Sequence, residues 1–317
     1  MAGIAVTDAA PGSAEWLRER NNGIGASEVA TLLGLNPYNN TVLDLWLAKT
    51  GQAESFAGNY ASRRGQHMEP FVLAAFAEEH PGMNIDTPPR HCPSIIRHPD
   101  VAAARFSPDA LGQDRHADYV IEIKTANSRQ VSKWADGNMP DAYKAQVGYQ
   151  LAITGLDQAY VAADVAGHYE ERIVTADAGF SEQVLELVDN WWWDHIDPNG
   201  PKKIPDPDAV RDRDILPKLW KADVTLEPVV LPSFMVQRLK DTKAALAAAK
   251  TDYAVACAEV QVALGEAVAG VDAAGDQVCT WGPVKGRSTV DRKALADDGL
   301  LDKYSVTGES GRAFRVK

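Results

Sequence analysis

An acid follows a Ser-Pro turn at Asp109. Thirteen and fifteen residues further on, an acid and an amine, Glu122 and Lys124, alternate with isoleucines. The run Tyr119-Val120-Ile121-Glu122-Ile123-Lys124 is dense in β-branched and aromatic side chains and predicts a strand. Alternate side chains of a strand share a face, so Glu122 and Lys124 point one way while Ile121 and Ile123 point the other, into apolar core. Two carboxylates and an ammonium beside one strand make a divalent-cation site with a basic group next to it. Oxygen-only ligands suit Mg²⁺ or Mn²⁺ rather than zinc.

Each part also has a plainer account. Asp after Ser-Pro is an ordinary turn residue, and Glu-x-Lys is common on the solvated face of an antiparallel sheet. Composition narrows the classes without choosing between these accounts. The 317 residues allow one large domain or two smaller ones; 45% hydrophobic content suffices for a core, and 24% charged residues is ordinary for a globular protein. No run of 18 apolar residues occurs, which excludes a spanning helix. Met1 to Ala14 lacks the basic start and apolar stretch of a secretion signal. Cys92, Cys257 and Cys279 are odd in number and dispersed, which suggests a reducing compartment and neither a disulfide framework nor a zinc cluster. The seven histidines show no ligand spacing. A net charge of −12 argues against coating nucleic acid by bulk charge, yet leaves room for a local basic channel.

The elements around the acidic stretch follow from pattern. Residues 1–14 are small and polar and read as a poorly ordered arm. Short helices are expected at 15–20 and 26–34, separated by Gly23-Ile24-Gly25 and stopped by Gly34. The start of the second, Gly25-Ala26-Ser27, is either a site for an anion on free backbone N–H groups or simply a cap by Ser27. A third helix spans Thr41 to Lys49 with Leu43, Trp46 and Leu47 on one face. Arg63 to Pro70 leads into an amphipathic helix carrying Phe71, Val72, Ala75 and Phe76, with Glu69 near its start. There Glu69 either favours the helix dipole or reaches the metal site. Residues 81–106 read as a loop with one or two strands. Asp141 to Thr154 is a helix with Val147, Leu151 and Ile153 inward and with Tyr143 and Gln146 one turn apart. Strands follow at Ala159–Val165 and His168–Val174, then a helix from Phe180 to Ile196. Its Trp191-Trp192-Trp193 cannot share a face, so one should reach a loop, a partner or a neighbouring subunit. Prolines and aspartates over 197–217 suggest a linker or an extended wrap. Ser233 to Ala269 is strongly helical. Leu239, Leu246, Tyr253, Val260 and Ala267 recur every seven residues, and Thr242, Ala249, Ala256 and Ala263 fill the alternate seam. Such a face packs closely on another helix or forms half of an intrachain hairpin. Strands are expected at Gln277–Trp281, Ser288–Val290 and Arg312–Val316. The tail from Asp276 onward has eight basic and six acidic residues, a net +2.

In order, a helix, Gly23-Ile24-Gly25-Ala26-Ser27, Gly65-x-x-x-Glu69, Ser107-Pro108-Asp109, Glu122-Ile123-Lys124 and Tyr143-x-Ala145-Gln146-Val147-x-Tyr149 resemble the YqaJ family of phage-type, lambda-exonuclease-like recombinase exonucleases. That family lies within the restriction-endonuclease-like PD-(D/E)XK superfamily. The likeness covers roughly residues 15–196, and the tail is similar to the extension of YqaJ proteins. One departure is Thr125-Ala126, where some relatives have Cys-Pro.

The resemblance implies an α/β fold: a restriction-endonuclease-like core with a mixed central sheet flanked by helices, over residues 1–230, and a C-terminal helical and small β extension over 231–317. It implies that Asp109, Glu122 and the Ile123 backbone carbonyl hold the metal, with Glu69 completing the acidic cluster directly or through water. Lys124 would hold or activate the attacking water, and Gln146 would fix Lys124 or that water. Arg20 and Ser27 match positions that grip the 5′ phosphate of the strand being cut, with Ser107 as a further phosphate contact. The cofactor would be Mg²⁺ or Mn²⁺, two ions. The implied substrate is a double-stranded DNA end, degraded 5′ to 3′ to leave a 3′ single-stranded tail for recombination. The implied partners are two further copies in a homotrimeric ring and a single-strand annealing protein, with no membrane. The setting would be the bacterial cytoplasm, the gene phage or prophage encoded. Two other functions fit the same residues: another nuclease of this fold, such as an endonuclease or RecB-like domain, and a catalytically silent DNA-binding or assembly module using the heptad helix and the tryptophans.

Overall fold

The computed structural model describes residues 3–38, 40–53, 58–208, 211–212, 225–284, 286 and 290–305. Two compact units result, residues 1–216 and 217–317.

The first unit is built on a mixed five-stranded sheet in the order β2 (Asn84–Asp86), β5 (Ala110–Gln113), β6 (Asp118–Ala126), β7 (Gln158–Val165), β8 (His168–Thr175). Its pairs are antiparallel except β6 with β7. Those two are parallel because α5 (Asp141–Thr154) lies between them in the chain and supplies the crossover that parallel neighbours need. The expected α/β architecture, a mixed sheet flanked by helices, is the one observed.

Both faces of β6 are covered, each by a different helix. Ile121 and Ile123 join Ala110 and Ala162 against Val72 and Phe76 of α4 (Tyr60–Glu79). The alternate residue Glu122 faces α5, whose Gln146 and Gln150 reach its carboxylate. α4 begins well before the sequence pattern places it. Asn59 caps it, accepting from the Ser62 amide at 2.9 Å while Ser62 accepts from the Asn59 amide at 2.8 Å. Glu69 therefore sits mid-helix, immediately before an internal Pro70, and not near the helix start. Proline in a helix interior removes a backbone donor, so packing of Val72 and Phe76 carries the helix through it.

The expected disordered arm is partly a strand. β1 (Ile4–Thr7) pairs with β3 (Ile95–Arg97), which pairs with β4 (Arg105–Phe106). Four residues are too few for period-two patterning to stand out, and the partner strand supplies the rest. α1 (Ala14–Asn21), α2 (Ala26–Leu32) and α3 (Val42–Lys49) follow, with Ser13 and Thr41 capping the first and third and Gly34 turning at φ +70° after the second. The buried side of α3 is Leu43, Leu45 and Trp46; Leu47 is only half-buried. Gly23 is required where the chain crosses β4, because a Cβ there would overlap the Ala103 carbonyl and the Arg105 side chain.

α6 (Ala178–His195) grades its tryptophans from buried Trp191 through half-buried Trp192 to exposed Trp193. The Pro-rich stretch after it is not a free linker over its described part. Pro205 is buried, and the fully buried Asp212 accepts from the Thr41 hydroxyl at 2.6 Å. In the second unit, α7 (Ser233–Leu264) stops at Gly265, five residues before the sequence pattern predicts. The chain then forms a hairpin of β9 (Ala269–Val271) with β10 (Gln277–Thr280), and a short helix α8 (Arg292–Asp297). β9 pairs where helix was expected, so Ala267 leaves the heptad row. Residues 288, 289 and 312–316, where two further strands were expected, lie outside the described residues.

The clamp of α4 on β6 gives a direct test. Phe76→Ala should destabilise the first unit by about 3–5 kcal/mol, since it empties a fully buried aromatic site beneath the sheet. Urea unfolding monitored by circular dichroism measures it, and a loss under about 1 kcal/mol would contradict the packing.

Candidate active site

Antiparallel register sets the two acids against each other. Ala110 pairs with Ile121, so one step outward along both strands places Asp109, just before β5, beside Glu122. Directly opposed residues on one face have Cβ atoms about 5 Å apart. The Ile123 amide donates to Asp109 Oδ2 at 2.8 Å and fixes the turn. Lys124, two residues beyond Glu122, lies on the same face and donates to Glu122 Oε1.

Glu122 is 3% exposed, which removes the reading of this strand as a solvated face. A carboxylate so far from water needs partners. Its Oε1 accepts from Lys124 and from Gln146 Nε2 at 2.5 Å, and its Oε2 accepts from Gln150 Nε2 at 2.5 Å. Gln146 and Gln150 are one turn apart on α5 and so share a face. The role of Gln150 was missed in the sequence, although that spacing was there to read. Tyr143, one turn earlier, places its ring 5.2 Å from the Lys124 ammonium.

Charge explains the protonation tendencies. Burial, then the neighbouring Glu122, pushes Asp109 well above the usual carboxylate range, against the pull of Lys124. Burial and Glu122 likewise raise Glu69. Burial acts to lower Lys124, but Glu122 and Asp109 outweigh it and leave the ammonium held above its ordinary value. Three acids converge where one cation balances them.

The second half of the site is the start of α2. Arg20 donates to Ser27 Oγ at 3.2 Å and stacks over Trp16 at 5.1 Å. The helix start is less open to an anion than expected. Glu28 reaches back to the Gly25 amide at 2.7 Å and pairs with the buried Lys49 at 2.8 Å. One backbone donor is therefore occupied by the protein's own carboxylate. Tyr149 of α5 donates to the Ile24 carbonyl at 3.1 Å, and Arg105 donates to the Glu19 carbonyl at 2.6 Å. The Tyr149 bond ties the Arg20–Ser27 corner to the same helix that holds Glu122, and the Arg105 bond ties it to β4.

Arg20, Ser27, Glu69, Ser107, Asp109, Glu122, Ile123, Lys124 and Gln146 all line one cleft of ≈ 1890 Å³. Among its described lining residues the charged side chains are Arg20, Arg64, Arg105 and Lys124 against Glu28, Asp44, Glu69, Asp109 and Glu122. The cleft is therefore not a cationic trough, and an anionic ligand entering it needs added cations.

Residues 15–157 match the YqaJ-like viral recombinase domain family. Every site residue named above lies within that stretch. The uncharacterized protein YqaJ of Bacillus subtilis (strain 168) is 29% identical to this chain over 186 residues, 57% of this chain. That stretch spans 56% of the relative, little more than half its length. Among solved structures, LHK-Exo in complex with dAMP is similar over 56% of this chain and 90% of that one, with 21% identity and a TM-score of 0.48. The alkaline exonuclease LHK-Exo from Laribacter hongkongensis shows 22% identity and a TM-score of 0.47 over the same shares. A phage related exonuclease from Haemophilus somnus 129PT covers 54% of this chain and 96% of that one, at 12% identity and a TM-score of 0.38.

Hard oxygen donors make this acidic corner suited to Mg²⁺ or Mn²⁺. Among the described residues no three His, Cys, Asp or Glu side chains stand close enough to hold an ion by themselves. Asp109, Glu122 and the Ile123 carbonyl would be the ligands, with Glu69 completing the set. The buried Gln150 Oε1, without a hydrogen-bond partner among the described residues, offers an acceptor for a water behind Glu122. Removing Lys124 strands two buried acids. Lys124→Ala should lower stability in chelator by about 3 kcal/mol, and saturating Mg²⁺ should restore most of it. Thermal denaturation of both forms measures this; unchanged stability in chelator would show that Lys124 does not balance the acids.

Proposed function

We propose that this protein is a metal-dependent exonuclease that degrades one strand of duplex DNA from its 5′ end, leaving a 3′ single-stranded tail for phage-type recombination. The observation that carries the reading is the buried Glu122, opposed by Asp109 and bonded to Lys124, in one cleft with the Arg20–Ser27 corner. An acid buried at such cost in a domain of this family is there for chemistry and not for solubility.

The geometry supports a role for each residue. When bound, divalent ions supply charge neutralisation of the phosphodiester and a usable nucleophile near neutral pH. Asp109, Glu122 and the Ile123 carbonyl hold them, and Glu69 closes the acidic set. Lys124 is kept charged by its carboxylates, so it serves as a donor that orients water and phosphate oxygen. Gln146 and Gln150 hold Glu122 in one rotamer. Arg20 offers a planar fork suited to phosphate, and Ser27 and Ser107 add hydroxyl donors. A terminal phosphate monoester carries nearly two charges and an internal diester one, so this corner favours a 5′-phosphorylated end. Residues 1–230 form the catalytic domain on this reading, with 231–317 as the extension. A homotrimeric ring and a single-strand annealing partner are the assembly that the family likeness supports.

One comparison of variants tests the two halves separately. On duplexes with and without a 5′ phosphate, Asp109→Asn should fall below a few per cent of native activity on both. Arg20→Ala should lose the preference for the phosphorylated end while retaining much of the rate on the hydroxyl end. Equal native rates on the two ends would remove Arg20 and Ser27 from the site. An active Asp109→Asn would overturn the metal assignment.

A further inference from the structure

We propose that α7 is a self-association element, in which two copies of this chain pair their α7 helices antiparallel. The helix has 32 residues, about 48 Å of length, and none of its side chains is buried. Leu246, Tyr253 and Val260 are 56%, 73% and 45% exposed along one row. The second unit has no other long helix among its described residues: α8 has six residues, and β9 and β10 are short. An intrachain helical hairpin, the other account of this heptad row, therefore has no second arm there.

The face matches an inverted copy of itself. The large residues Leu239, Leu246, Tyr253 and Val260 occupy one seam, and the small residues Thr242, Ala249, Ala256 and Ala263 occupy the other. In antiparallel pairing the two seams face each other across copies. A single register then sets Leu239 on Ala263, Leu246 on Ala256, Tyr253 on Ala249 and Val260 on Thr242, each large side chain against a small one. Parallel pairing would instead stack tyrosine on tyrosine and alanine on alanine, crowding some layers and leaving voids in others.

Charge selects the same orientation. Before residue 251, the midpoint of that register, the helix carries Arg238, Lys240, Lys243 and Lys250 against one acid, Asp241. Beyond it the helix carries Asp252 and Glu259 and no lysine or arginine. Antiparallel pairing lays the basic half on the acidic half. Parallel pairing brings Arg238 beside Lys243. Two pairs disfavour the antiparallel form: Lys250 and Asp252 each approach their own symmetry mate near the midpoint, where the Lys250 stem lets its ammonium reach water. The residues that match are on the helix itself, so the occupant is a second α7 and not an unrelated protein.

The register also places Lys243 next to Cys257 of the other copy. Within one helix these positions are fourteen residues apart, about 21 Å, far beyond the roughly 7 Å that a disulfide spans between Cα atoms. In the full-length chain, K243C under mild oxidation should give a covalent dimer whose linkage maps to position 243 and Cys257. C257S should abolish it. A256R, at an exposed helix position facing Leu246 of the other copy, should cut the crosslink at least tenfold and halve the sedimenting mass while helix content stays unchanged. Linkage of position 243 to itself would mean parallel pairing and overturn the proposal. So would no crosslink in a protein of native helix content, or a mass and yield indifferent to A256R, because the face then belongs to some other partner.

Discussion

A carboxylate buried at Glu122 is the constraint on which the first unit turns. An acid at 3% exposure persists only if every lone pair is answered, and here the answers come from three places on two elements. Lys124 lies two residues along the same strand, and Gln146 and Gln150 lie on the helix that crosses between β6 and β7. The crossover helix thus does two jobs. It makes the parallel pairing of β6 and β7 possible, and it brings two amides to the one strand position that needs them.

The same helix links the chemistry to recognition. Tyr149 follows Gln146 by three residues and bonds the Ile24 carbonyl, just before α2. Arg20 and Ser27 are therefore positioned relative to Glu122 through one rigid element rather than through a loop, the arrangement that a site needing fixed separations requires. Acidic excess in the cleft fits this account. A site that relied on side-chain cations alone to hold a polyanion would not place Glu69, Asp109 and Glu122 together.

The parts of this plan that depend on short-range pattern were legible in the sequence. The alternation around Glu122 and Lys124 predicted the strand and its two faces, and α5 was read with its observed bounds because its apolar period is long and its ends are marked by Pro140 and Gly155. What escaped was fixed by distant partners. β1 is four residues long and exists through pairing with β3. The first ten residues of α4 are mostly polar and hold no apolar stripe, so neither its start nor the mid-helix place of Glu69 is legible there. Gln150 looked like one more polar residue until Glu122 lay opposite it. At Asp212, a run of prolines and aspartates resembled a linker, and only the buried bond to Thr41 shows that the chain returns to the fold.

Strand polarity tests the central claim most directly. Linear duplex labelled separately at each 5′ and 3′ end, and a covalently closed circle, would be incubated with the native protein in Mg²⁺ and in chelator. The account predicts loss of the 5′ label first on each strand, a surviving 3′ tail, an intact circle, and no product in chelator. Cutting of the circle, product ladders receding from the 3′ end, or undiminished cleavage in chelator would contradict it.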